Sequence, residues 1–149
     1  FLRRLPKEQA GGTGASGEVR DLLLREAEAW QEGNPKRVVD LYGRTFVGYE
    51  GYDKGDPKKW RIAFSGMDPF RAFCKRRLDR TKYQISRKIL SVELHRGLAI
   101  ALTEEQASTT HNLTGKTLSA EHRDLWMLAR EGKAWRIVGF VRRLGEFPR

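Results

Sequence analysis

Cysteine is almost absent from this sequence of 149 residues, histidine occurs three times and methionine twice. The single thiol, Cys74, excludes an internal disulfide and any multi-cysteine metal site, so the fold must stand on its packed core. His95, His111 and His122 match no short metal-ligand spacing, so neither a metal nor a cofactor is expected. Long apolar runs are missing too, and nothing approaches the roughly 20 residues that a helix needs to cross a bilayer. The opening residues 1–20 lack the apolar centre of a signal peptide. Two expectations stay open: a cytoplasmic protein, or one from which a leader or an upstream domain has been removed.

Acidic residues are the minority charge, 19 against 29 Lys and Arg, for a net charge of +10. Such a balance can favour nucleic acid, anionic lipid head groups or acidic polymers. The cations are spread over the chain rather than packed in one block. That predicts a basic solvated surface open to an anionic ligand, and it argues against a nucleic-acid groove. With 39% hydrophobic and 10% aromatic residues, the length suits one core that buries about two thirds of the unfolded surface.

Residues 1–17, with Gly11 to Gly17 rich in glycine, read as a flexible linker, residues 18–144 as the folded domain and 145–149 as a tail. Val19, Leu22, Leu23, Ala27 and Trp30 follow helical spacing. Gly33 stops that helix, and Asn34-Pro35 opens a short second one carrying Val38, Val39, Leu41 and Tyr42. Phe46, Val47 and Tyr49 suggest a short strand, followed to Gly66 by an extended loop holding Trp60. Asp68 as cap and Pro69 open a third helix, with Phe70, Phe73, Cys74 and Leu78 inward and Arg71, Lys75, Arg76 and Arg80 outward.

After Thr81 the apolar period changes to two. Four strands are expected, Lys82–His95, Leu98–Thr109, Thr117–Ala129 and Ala134–Arg142, joined by turns short enough for an antiparallel meander. The apolar phase slips between Ile89 and Leu90, which predicts a bulge or a bend. Leu125 and Met127 oppose Trp126 and Leu128, and Val138 and Phe140 oppose Trp135 and Ile137. A sheet apolar on both faces predicts a homodimer or an interdomain contact through its outer face.

This order resembles the nuclear transport factor 2-like superfamily, with its polyketide cyclase and ketosteroid isomerase branches. Ala27 to Phe46 looks like that family's opening helices, and Leu125 to Phe140 like its closing hairpin. The resemblance implies an α+β fold: three helices on the concave face of a curved, four- to five-stranded antiparallel sheet, cone-shaped and cystatin-like. Gly66 to Ile89 is similar to the accessory domain that follows some bacterial L,D-transpeptidases and cell-wall carboxypeptidases. That likeness implies a periplasmic location and a cell-wall fragment as ligand. Those enzymes use a cysteine in a Ser-x-Gly-Cys setting, whereas Cys74 lies in Phe-Cys-Lys on an apolar helix face, so the catalytic unit is not in this chain.

Ligands of such a cone belong at its open end. If Leu98, Ile100 and Leu102 point inward, alternation brings Glu104 and Gln106 in as well. Trp126 and Leu128 inward would carry His122 and Asp124, and Tyr42 and Trp60 would complete the rim. The set could perform acid–base work or grip a polar ligand, although strand ends are commonly polar because they leave the core. An isomerase of the ketosteroid type needs an aspartate base beside a tyrosine and a second, protonated acid, and no matching second acid is evident. The expected function is therefore a non-catalytic ligand- or partner-binding module, the alternative being a small-molecule enzyme of the cyclase or isomerase type.

Overall fold

The computed structural model describes residues 14–145, so most of the expected linker and tail lie outside the described residues. Helix α1 spans Gly14–Glu32 and buries Val19, Leu22, Leu23, Ala27, Ala29 and Trp30 along one stripe. It starts four residues earlier than its glycine content suggests. Ala15 packs on the core and Gly17 is buried, so burial outweighs the backbone entropy of the glycines. Gly33, at φ +72°, ends the helix. Asn34 accepts a hydrogen bond from the Arg37 amide (3.2 Å) and Pro35 begins α2, Pro35–Val39, which ends before Leu41 and Tyr42.

Strand β1, Tyr42–Lys54, is far longer than the expected strand, and β2, Arg61–Ser65, pairs with it where a loop was predicted. Its glycines mark close approach rather than turns. A Cβ on Gly48 would stand 2.8 Å from the Phe140 ring, and one on Gly51 would stand 2.6 Å from the Arg143 carbonyl oxygen. Helix α3, Met67–Arg80, opens one residue before Asp68, with Gly66 at the cap position and no side-chain cap. It buries Phe70, Cys74 and Leu78 and leaves Arg71, Lys75, Arg76 and Arg80 exposed.

Strands β3 (Thr81–His95), β4 (Leu98–His111), β5 (Thr117–Glu131) and β6 (Ala134–Leu144) follow as an antiparallel meander. Arg96 and Gly97, both at positive φ, make the first tight turn. The register slips between Ile89 and Ser91, leaving Leu90 as the bulge. The complete sheet has six strands in the order β2-β1-β6-β5-β4-β3. It is mixed rather than antiparallel with four or five strands, because β1 runs parallel to β6. Helix α1 covers the β3 edge, where Gln31 Oε1 accepts from the Ile85 amide (2.9 Å). No helix among the described residues is long and apolar enough to cross a membrane.

The faces of β4 are opposite to expectation. Ala99 and Ala101 are buried, while Leu98 is 56% and Ile100 43% exposed. The reason lies in the register: Ala99 stands beside Leu128 and Ala101 beside Trp126, so small residues on β4 make room for large ones on β5. Indole Nε1 of Trp126 donates to Thr103 Oγ1 (2.9 Å), which seats the next inward residue of β4.

Candidate functional site

Three charged residues enter the core on elements that are otherwise apolar there. Glu26 lies on the buried stripe of α1, one turn before Trp30. Its Oε2 accepts from Trp30 Nε1 (3.0 Å) and from the Tyr42 hydroxyl (2.6 Å). Arg87 alternates with Ile85 and Ile89 on β3 and so points inward. Its Nε donates to both oxygens of Glu105 (2.8 and 2.9 Å) and its Nη1 to the Leu23 carbonyl (2.5 Å). Nη1 also stands 3.1 Å from Glu26 Oε1, and the guanidinium lies 4.7 Å from the Trp126 ring centroid. All three side chains of this triad are less than 5% exposed.

A second buried pair sits on β5, where His122 Nδ1 is 2.7 Å from Asp124 Oδ1, which also accepts from the Arg143 amide (3.0 Å). Burial alone would lower the Arg87 pKa, but Glu26 and Glu105 more than offset this and hold it above the usual arginine value. Burial, reinforced by Asp124 and opposed by Arg87, raises the Glu105 carboxyl above the ordinary range. Burial and then the Glu26 charge raise the Tyr42 phenol and push the Cys74 thiol up to about 12.

Of the six candidate residues, Tyr42, His122 and Asp124 meet in the cone and the other three do not. Glu104 and Gln106 follow the reversed phase of β4 onto the outer face, where Glu104 lies 4.0 Å from Arg123 and Gln106 Nε2 donates to Glu121 (3.4 Å). Trp60 is held outside the cone by its Nε1 donating to the Lys54 carbonyl (2.9 Å), because the loop it sits in is pinned along β1. The triad was absent from the candidates, yet the signals existed. A glutamate interrupts the apolar stripe Leu22, Leu23, Ala27, Trp30, and an arginine stands two residues from Ile85 and from Ile89.

Little space remains inside. Tyr42, Phe46, Phe70 and Phe140 pack ring against ring, with centroids 4.5–6.4 Å apart. The cavity left among Glu26, Trp30, Tyr83, Glu105, His122 and Asp124 measures about 60 Å³. That is room for ordered water, one molecule of which needs about 10–15 Å³ of such space. Among the described residues no group of His, Cys, Asp and Glu is placed to hold a metal ion. The outer face carries a wider, open concavity of about 910 Å³ floored by Ile100, Leu102 and Leu125 and rimmed by Glu104 and Arg123.

The fold recurs among solved structures. A ketosteroid isomerase-like protein from Erwinia carotovora atroseptica superposes with a TM-score of 0.67 at 14% identity, over 84% of this chain and 92% of that one. A Nostoc punctiforme domain described as having a cystatin-like fold gives 0.65 at 15% identity, over 91% and 81%. The chain has the nuclear transport factor 2-like fold. A third structure with this fold, from Xanthomonas campestris and named for a calcium/calmodulin-dependent protein kinase II association domain, gives 0.61 at 18% identity over 87% of each chain. No protein-family model matches the sequence, and no curated protein matches it. Within the nuclear transport factor 2-like cone of this chain, the inward charges of Glu26, Arg87 and Glu105 pair with one another around the small cavity.

Proposed function

We propose that the domain is a non-catalytic association module that works through the outer face of its sheet, with a second copy of the chain as the partner. The observation that carries this is the contrast between the two faces. The cone retains about 60 Å³, whereas small-molecule sites commonly need some 300–1,000 Å³. The outer face, in contrast, exposes Leu98, Ile100 and Met127 beside an open concavity. The name of the Xanthomonas campestris structure, an association domain, agrees with this reading.

The resemblance of Gly66 to Ile89 supports a finer setting, an accessory domain in the periplasm beside a cell-wall-modifying enzyme. There the exposed cations of α3, Arg71, Lys75, Arg76 and Arg80, would meet an anionic cell-wall fragment. The His122–Asp124 pair favours a second reading, a cyclase- or isomerase-type enzyme using a pocket carboxylate, and that reading requires the cone to open several-fold.

Sedimentation equilibrium at up to about 100 μM tests the association reading. The wild-type chain should be a dimer, and Ile100→Lys with Met127→Lys should be a monomer with unchanged thermal stability. A monomeric wild type, or a variant that still dimerises, refutes it.

A further inference from the structure

The positive charge of the chain is unevenly shared. Residues 54–82 hold ten Lys and Arg against three Asp, a net +7 of the chain's +10. They run from the end of β1 through β2 and α3 to the start of β3, and they form one block of the fold. Phe64 of β2 packs on Phe70 and Phe73 of α3, with ring centroids 5.2 and 5.0 Å apart. All ten cations of the block are exposed. Among the described residues, Arg71 alone of the ten is in an ion pair, with Asp68 (3.0 Å). Arg77 Nε donates to the neutral Tyr83 hydroxyl (2.7 Å).

Elsewhere the balance is reversed. Helix α1 carries five Asp and Glu against two Arg, and the outer concavity is lined by Asp53, Glu93, Glu104 and Glu121 with Arg123 as its one arginine. The domain is therefore electrically two-sided. Cations gathered without partners repel one another, and like charges four residues apart, as in Arg71 with Lys75 and Arg76 with Arg80, weaken a helix. An anionic partner turns that repulsion into attraction.

Shape selects the kind of anion. The ten cations line neither the cone, nor the outer concavity, nor the groove beside Gln31 and Gln84, so no cleft gathers them around a small anion or a single strand. Helix α3, about 21 Å long, is flanked by α2 and by β2, whereas a helix that enters the major groove of DNA stands clear of its domain. A broad face of exposed cations without a cleft fits an extended anionic plane. We propose that this face of α3 and β2 docks on the anionic lipid surface of a membrane, held by charge, with its cations within about 10 Å of the head groups. This goes beyond association through the outer face, and it gives the α3 cations a lipid plane as partner in place of a cell-wall fragment.

The full chain is sedimented with vesicles of phosphatidylcholine containing about 30% phosphatidylglycerol, and with vesicles of phosphatidylcholine alone, at salt from about 0.05 to 0.3 M. The expected result is binding to the anionic vesicles only, falling steeply with salt. Each cation near such a surface contributes about fivefold to affinity, so Lys75→Gln with Arg76→Gln should weaken binding about 10- to 30-fold. Arg25→Gln with Lys133→Gln removes equal charge from exposed positions outside the block and should weaken it about twofold or less. A DNA duplex of about 20 base pairs, added at equal phosphate concentration, should leave the protein on the vesicles. Equal losses in the two double variants, equal binding to both kinds of vesicle, or release of the protein by the duplex overturns the proposal.

Discussion

Replacing Arg87 by methionine keeps most of the side-chain volume and removes the charge between two buried carboxylates. Arg87 is 4% exposed and its partners Glu26 and Glu105 are each 3% exposed, so water cannot take over the role of the guanidinium. Removing one partner of a buried pair costs about 3–5 kcal/mol, and here one cation serves two anions, which places the cost in the upper half of that range near pH 8. At about 3–5 °C per kcal/mol for a domain of this size, the melting temperature should fall by about 12–25 °C. The loss should depend on pH in a definite sense. Glu105 is already raised above the ordinary carboxylate range, chiefly by burial, and Arg87 is what opposes that rise. A carboxyl with a raised folded pKa contributes stability that is present below its unfolded value, about 4.3, and is lost as pH rises through the folded value. Without Arg87 the folded value climbs further, so the variant's deficit should be smaller near pH 5 than near pH 8. Urea titrations followed by circular dichroism at both pH values measure this, and Glu26→Gln/Arg87→Met/Glu105→Gln should recover much of the loss. A deficit under about 1 kcal/mol near pH 8, or one that does not shrink in acid, would refute the reasoning.

Two further outcomes follow from the packing. Gly48→Ala places a methyl 2.8 Å from the Phe140 ring and should cost about 1–3 kcal/mol in chemical denaturation; no change would mean that the ring yields freely. The Cys74 thiol, fully buried and pushed up to about 12 by burial and by Glu26, should not react with an aromatic disulfide reagent near pH 8 until urea unfolds the chain. Rapid reaction of the native protein would show that α3 opens readily.

The periodic parts of the chain were legible in the sequence. The stripe of α1, the stop at Gly33, the inward face of α3, the meander and the bulge at Leu90 all follow from spacing that only one local structure satisfies. The stretch from Tyr49 to Gly66 was not, because Gly51, like Gly48 just before the stretch, is there for the approach of β6, a strand far along the chain, and glycine alone cannot announce its partner. The phase of β4 was misread because both faces of the sheet are apolar; the larger residues Leu98 and Ile100 face outward while alanines interdigitate with Trp126 and Leu128. That one-residue slip removed Glu104 and Gln106 from the cone and put Glu105 in their place.

The parallel pairing of β1 with β6 bears on how the chain is made. Gly48 and Phe140, paired in the sheet, are about ninety residues apart in sequence. During synthesis the β1–β2 hairpin therefore emerges long before the strand that will anchor it, while β3, β4 and β5 can assemble from neighbouring segments. Until β6 is complete, β1 and β5 each present an open edge, and Phe46 and Trp126 lack the Phe140 ring that packs against both. A nascent chain stalled before Ala134 is thus the species most exposed to aggregation, and the last strand released is the one that joins the two halves of the sheet.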